Sequence, residues 1–365
     1  MNILFERFEL PEELRKVIYN SPSVIIPTSK DQLFELIFGN EYTDKIEVLY
    51  EVNGKSVKEA EVVRCRNGAA VNYPEDYMRR RDPDCMRIGD DLPTDKPRFK
   101  DVYGYEFSDL RRETFRWLTR QELILVPFKS GGYGYGYDSL LVCPRNAAFF
   151  GFAMAQLQAF VDLRTVESFR PRAVVYAAPP FRHTHFGGKQ VVVHCRHEDL
   201  HEVFSYNLYP GPSAKKGIYS VLIDIGEKEG WVTAHASSAR IITPYENEMV
   251  MMHEGASGGG KSELLQDVMR APDGRVLLGV NLVTGEESYI SMSDTCTIAP
   301  VTDDMAMCPP SIQDNSGKLC LTDGEDGWFV RVDGITEYGC EPQYEKIAIH
   351  SKEPLMFLNL QAVPR

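Results

Sequence analysis

The chain has 365 residues, a formal net charge of −13 and 43% apolar residues. That length accommodates one large or two ordinary domains with a sizeable core, and the acidic balance disfavours a duplex nucleic-acid partner. No run of 18 apolar residues occurs, and Met1-Asn-Ile-Leu-Phe-Glu6 carries an early acid rather than a basic leader. A soluble cytoplasmic protein without a membrane partner is therefore expected. The cysteines (65, 85, 143, 195, 296, 308, 320, 340) include no Cys-x-x-Cys pair and read as buried thiols rather than a disulfide frame or zinc knuckle.

Residues 9–20 and 30–39 have the apolar spacing of amphipathic helices. Residues 45–65 alternate and predict a hairpin about Asn53-Gly54, whereas the Pro- and charge-rich stretch 72–100 reads as loop. Helices are expected over 108–121 and 146–159, with a strand at Leu123–Phe128 between them. The string Gly131-Gly-Tyr-Gly-Tyr-Gly136 opens no helix and precedes no Lys-Ser/Thr, so it predicts a tight turn. Strands follow at 173–177, 190–194 and 202–206, then a helix at 215–225. His194, His197 and His201 have a metal-compatible spacing, but a strand-to-loop transition scatters them, and they read as surface histidines. His183-Thr-His185 reads as an exposed, Gly-flanked loop. The charged segment Gly226–Gly230 predicts a linker between domains at 1–228 and 229–365. Beyond it, strands are expected at 276–292 about Thr284-Gly285, and again at 318–332.

The segment with the clearest chemistry is Gly255-Ala-Ser257-Gly258-Gly259-Gly260-Lys261-Ser262. Gly, four residues, then Gly-Lys-Ser is the pattern of a loop whose backbone N–H groups wrap a phosphate. Its Lys reaches the outer phosphates and its hydroxyl serves Mg²⁺. The context agrees: Met249–Met252 reads as a buried strand before the loop and Lys261–Arg270 as a helix after it. Helix dipole and free N–H groups would then both face the anion. Downstream, Leu319–Leu321 reads as a strand ending in Asp323, an acid suited to Mg²⁺.

With Tyr209-Pro-Gly-Pro-Ser-Ala-Lys215-Lys216, His235-Ala-Ser-Ser-Ala239, the phosphate loop, Thr322–Trp328 and Glu337-Tyr-Gly-Cys340 in this order, the chain resembles the phosphoenolpyruvate carboxykinases. The ATP-dependent branch is the nearest in pattern. The loop followed by Glu263 is similar to HPr kinases, and the whole is similar to a bacterial carboxykinase-like family known only as a domain of unknown function. The resemblance implies a two-domain α/β carboxykinase-like fold, with a P-loop mononucleotide-binding domain of mixed sheet after the linker. It also implies ATP or another nucleoside triphosphate with Mg²⁺ at Ser262 and Asp323, and Mn²⁺ held by Lys216, His235 and Asp323. Lys261, Asp323 and Lys216 would be the catalytic set. A lysine ligates only when neutral, which burial beside a cation favours. Taken singly, Lys215-Lys216 is an exposed helix start and His235 a core histidine.

The departures also carry information. Where the family pairs two acids, this chain has Asp323-Gly324; Asp303-Asp304 either supplies the second acid or forms a solvated turn before Pro309-Pro310. The family's substrate-gripping Arg falls at Asn72, with Arg66 and Arg79–Arg81 nearby but unassigned. Without a guanidinium fork, recognition of oxaloacetate is not expected. The family also places its nucleobase pocket beyond the position of Arg365, so the 229–365 domain is expected to be incomplete. Two functions follow. One is an ATP-dependent phosphotransferase acting on a small acid or a protein hydroxyl; the alternative is a non-catalytic nucleotide-binding module. Oligomeric state is not readable.

Overall fold

The computed structural model describes residues 8–40, 42–256, 259–265, 270–291, 296–327 and 354–358. The chain is α/β with mixed sheets and divides into two compact units, residues 1–225 with 326–365, and residues 226–325. Among the described residues no helix is long and apolar enough to cross a membrane.

The first unit starts with strand β1 (Val24–Ile25) and the meander β2 (Lys45–Val52), β3 (Lys55–Cys65) and β4 (Gly68–Asn72). Asn53 and Gly54 both take positive φ (51° and 74°), the twist a two-residue hairpin turn requires. Then come β5 (Met86–Ile88), β6 (Leu123–Ser130), β7 (Tyr137–Pro144) and β8 (Ala159–Phe160). β9 (Ala173–Ala177), β10 (Val192–Arg196) and β11 (His201–Ser205) complete the set. Their pairing gives a mixed sheet ordered β1-β6-β7-β9-β11-β10-β5, with β8 on β6. β5 lies inside the stretch expected to be loop; three residues are too few to show a period. The Gly131–Gly136 segment is the tight β6–β7 turn that its sequence predicts.

Leu123–Phe128 is buried along its length, the pattern of a strand covered on both faces. One face packs against helices α1 (Glu12–Asn20) and α3 (Phe107–Leu118), which contribute Leu14, Val17, Leu110 and Leu118 to the core. The other meets α4 (Ala148–Leu157), whose sequence is apolar around its circumference and buried on every side, and which also packs on α2 (Lys30–Phe38). Gly151 permits the close approach: a Cβ there would lie 3.2 Å from Val126.

Two first-unit expectations need correction. The histidines at 194 and 201 are buried, at 2% exposure each, not on the surface. The β10–β11 register sets His194 against Val203 and Arg196 against His201, so the two imidazoles are diagonal neighbours on one face. His183-Thr-His185 lies in the short helix α5 (Phe181–Phe186), where His183 bonds Glu59 and His185 lies 3.3 Å from Glu113. The helix expected at 215–225 begins with a π-helical turn, Gly211–Lys215, and continues as α6 (Lys216–Glu229).

The second unit contains β12 (Thr233–Ala234), β13 (Ala236–Ile242), β14 (Glu248–Glu254), β15 (Val276–Val280) and β16 (Glu287–Ile290). β17 (Thr297–Thr302), β18 (Ala306–Met307) and β19 (Thr322–Asp323) follow. They form the sheets β14-β13-β17 and β12-β18-β19 and the hairpin β15-β16. The Met249–Met252 strand is present but exposed, because it is the edge of its sheet with β13 as its one strand neighbour among the described residues. Of the helix expected at Lys261–Arg270, residues 266–269 lie outside the described residues; Glu263–Leu265 forms a single 3-10 turn. Leu319–Leu321 is not a strand. The side chain of Gln313 takes both the N–H and the carbonyl of Cys320, and pairing starts at Thr322. Trp328 and Glu337–Cys340 lie outside the described residues. The expected 229–365 domain is divided, since Leu355–Leu358 pairs in parallel with β4 of the first unit.

Arg182, 1% exposed, links elements of the first unit distant in sequence. Its guanidinium meets Glu59 of β3 at 3.3 Å and Glu75 at 2.8 Å, and it donates to the carbonyl of Gly188. Replacing Arg182 by Met should leave the buried Glu59 carboxylate with His183 alone and lower unfolding free energy by about 3–5 kcal/mol in urea titrations. A loss below about 1 kcal/mol would show that Arg182 packs rather than pairs.

Candidate functional site

The site is built on β13, which lies antiparallel to β14 on one side and β17 on the other. At the end of β14 the chain enters the glycine loop, where Gly255 N–H donates to the His235 carbonyl across the sheet at 3.4 Å. Gly259 N–H donates to Ala256 at 3.0 Å and Gly260 takes φ +83°, so the loop turns back sharply. Ser257 and Gly258 lie outside the described residues. Lys261 is buried at 6% exposure; its ammonium donates to the carbonyls of Gly255 (2.9 Å) and Ala256 (3.2 Å).

β17 brings the acids. Its run Thr297-Ile-Ala-Pro-Val-Thr302 is registered on β13, with Thr302 Oγ1 donating to the Ala236 carbonyl at 3.1 Å, and it ends in Asp303-Asp304. Ser262 Oγ donates to Asp303 Oδ1 at 2.5 Å. Asp304 Oδ1 lies 2.8 Å from His235 Nε2 and 3.3 Å from Lys261 Nζ. Asp303 and Asp304 are 2% and 8% exposed, so they are not a solvated turn. One short carboxylate pair thus engages the serine, the lysine and the histidine singled out in the sequence.

Asp323 is nearby but differently employed. β19 pairs with β18, setting Asp323 opposite Ala306, and Glu325 N–H donates to its carboxylate at 3.1 Å. Burial first, and the negative Asp303 second among the raising causes, push its carboxyl up to about 6 against the pull of backbone N–H groups. Gly324, where the family's second acid would stand, is tightly packed: a Cβ there would lie 3.1 Å from Met305 Cβ and 3.2 Å from Met307 Sδ. Any side chain here would require those methionines to give by a few tenths of an ångström; the acid acting on Asp323 is Asp303.

The acid bonded to His235 is Asp304. Lys216 stands at the start of α6 in the first unit, with its ammonium 5.5 Å from the Tyr219 ring centre. Among the described residues no three His, Cys, Asp or Glu side chains converge as a preformed metal shell. In the first unit, Arg79 brings its guanidinium to Asn72, donating to Oδ1 at 3.1 Å, and the neighbouring Tyr73 hydroxyl donates to the Leu208 carbonyl at 2.9 Å. Tyr73 also meets Tyr209 edge-on at 5.6 Å, so an arginine unassigned in the sequence shares a neighbourhood with the Tyr209 segment.

Asp323 yields a signed prediction. A carboxyl whose folded pKa of about 6 exceeds its unfolded value near 4 makes the fold lose stability as pH rises through that window. Asp323→Asn should therefore stabilise the ion-free protein at pH 7 by about 1–3 kcal/mol, after discounting for partial exposure, with the gain gone below about pH 4. Urea unfolding at both pH values measures this; no gain at pH 7 contradicts it.

No curated protein matches the chain. Residues 10–365 match the family described as Domain of unknown function (DUF4914), and the chain belongs to that family.

Proposed function

We propose that the protein is an ATP-dependent phosphotransferase with a two-domain, carboxykinase-like P-loop fold, acting on an acceptor other than oxaloacetate. The observation that carries this reading is the coupling of the glycine loop to the acid pair. Ser262 bonds Asp303 at 2.5 Å, while Lys261 and His235 share Asp304. A flexible glycine turn has no need of a buried lysine, or of two buried acids contributed by another strand.

In this reading, loop N–H groups and Lys261 hold the outer phosphates, with Lys261 exchanging its Gly255 and Ala256 carbonyl contacts for phosphate oxygens. Ser262 and Asp303, with Asp323 beside them, form an all-oxygen donor set that fits Mg²⁺. The Asp323 carboxyl, raised first by burial and then by Asp303, supports the fit, because a nearby divalent cation opposes both. His235 and Asp304 add a nitrogen and an oxygen that fit Mn²⁺. When bound, these ions supply charge neutralisation at the transferring phosphoryl group. The chain's own contribution is positioning and a preorganised field, the main demands of phosphoryl transfer.

The second reading, a non-catalytic nucleotide-binding module, is favoured by Gly324, which stands where the family places its second acid. ATP turnover with Mn²⁺ and Mg²⁺ separates the two: release of ADP supports transfer, and tight binding without release supports the module. Under either reading Lys261→Ala should weaken ATP binding more than tenfold by calorimetry, since a charge-assisted contact is worth roughly 1.5–3 kcal/mol. Unchanged affinity would remove the phosphate loop from the account. Supplied with oxaloacetate, ATP and Mn²⁺, the protein should form no phosphoenolpyruvate. A robust rate would mean that Arg79, at Asn72, grips the substrate carboxylate.

A further inference from the structure

Three buried titratable side chains of the first unit, outside the phosphate-loop site, lie in a line. His201 Nδ1 is 3.0 Å from Asp224 Oδ2, and His201 Nε2 is 2.9 Å from His194 Nδ1. His194 and His201 are 2% exposed and Asp224 7%. Both nitrogens of His201 are engaged by the other two side chains, so the three do not converge on a common point as metal ligands must.

The proton count fixes a direction. A carboxylate accepts only, so His201 Nδ1–H donates to Asp224. When His201 is neutral it offers Nε2 as acceptor and His194 Nδ1–H donates to it; when His201 is protonated its Nε2–H donates to His194 Nδ1 instead, and the His194 proton sits on Nε2. The 2.9 Å contact is kept in either state.

The line also seats a helix. Asp224 belongs to the third turn of α6, and Gly217, seven residues earlier on the same face, to the first. A Cβ at Gly217 would lie 3.4 Å from Val203 Cγ1 and 3.8 Å from His194 Cε1, so the bare first turn sits over the outer imidazole. Lys216 immediately precedes that glycine. The π-helical turn before it is tied down independently: Gln158 Nε2 donates to the Ala214 carbonyl at 3.1 Å, and Ser205 Oγ donates to Ser213 Oγ at 3.1 Å. Such turns recur at functional positions.

We propose that Asp224, His201 and His194 form a buried positioning relay that seats the first turn of α6, and with it Lys215 and Lys216. What Lys216 then does rests on the phosphotransfer reading; the relay itself does not. The charged groups around His194 are His201 from β11, Asp224 from α6, and Arg196 from its own strand, itself paired with Asp90 at 2.7 Å. Burial first, then His201 and Arg196, hold the His194 imidazole well below its usual range, with Asp224 opposing. A histidine depressed in this way contributes stability that is complete above about pH 6.5 and lost as pH falls below it.

The test uses the full chain without ligand. Nitrogen-15 NMR of the imidazoles from pH 8 to 5.5 should show the His194 ring still neutral at pH 6 and His201 carrying a proton on Nδ1 throughout. A His194 midpoint near 6.5, or a His201 without the Nδ1 proton, would overturn the relay. Hydrogen exchange supplies the positioning readout: amides of residues 215–219 should exchange at least tenfold faster in Asp224→Ala, with ATP affinity within twofold of the unaltered protein. Unchanged exchange would overturn the positioning role, and an unfolded variant leaves the NMR result decisive. Failure of the unaltered protein to bind ATP would refute the phosphotransfer reading and leave the relay standing.

Discussion

A lysine buried to 6% exposure needs a counter-charge, and in the second unit Lys261 has one in Asp304, 3.3 Å away. The dependence runs outward from that pair. Asp304 also engages His235, the residue before β13, and its neighbour Asp303 accepts from Ser262. The strand that supplies both acids is registered on β13 by the ladder and by Thr302. Loop, central strand and acid strand are thus fixed to one another by a handful of short polar contacts in a unit whose edge strand is largely exposed. Such a unit is held less by apolar burial than by these polar contacts. The cost is visible in the same place, where Asp323 is pushed towards neutrality by burial and by Asp303. Repulsion between buried acids is tolerated where a cation or phosphate-bound ion relieves it, and it is poor design otherwise.

The first unit solves a different problem. Its main sheet is covered on both faces, and its buried charges are satisfied internally: Arg182 with Glu59 and Glu75, Glu202 with Arg111, His201 with Asp224. These pairs join segments far apart in sequence, so each fixes tertiary register rather than local structure. The π-helical turn at Gly211–Lys215 and the bare glycine at 217 are the local irregularities that set the start of α6. Arg79 at Asn72 adds a guanidinium where the resemblance leaves a gap, and it is the feature of this unit most suited to an anionic acceptor.

Much of this was legible in the sequence. The Asn53-Gly54 hairpin, the helices at 12–20 and 30–38, and the apolar strand from Leu123 follow from turn chemistry and periodicity, which are local signals. The sharp turn of the glycine loop was legible for the same reason. Pairing was not. The acid bonded by Ser262 lies 41 residues away on another strand, and nothing between them marks Asp303 over Asp323. Gly324 stands where the family has a second acid, and a Cβ there would meet Met305 and Met307 at 3.1–3.3 Å, which no local signal in the sequence reveals. The burial of His194 and His201 could have been found by counting register across the β10–β11 hairpin, which places them diagonally on one face. Met249–Met252 misled for the opposite reason: four apolar residues carry no period, and an edge strand has no second neighbour to bury them.

The central claim is that Asp303, not Asp323, is the acid coupled to the phosphate loop through Ser262. A double-mutant cycle on Mg²⁺·ATP affinity tests it most directly, with Ser262→Ala combined in turn with Asp303→Asn and Asp323→Asn. The account predicts a coupling of at least about 1 kcal/mol between Ser262 and Asp303, larger than the coupling between Ser262 and Asp323, which share only the bound ion. Strong coupling to Asp323 together with additivity at Asp303 would contradict it.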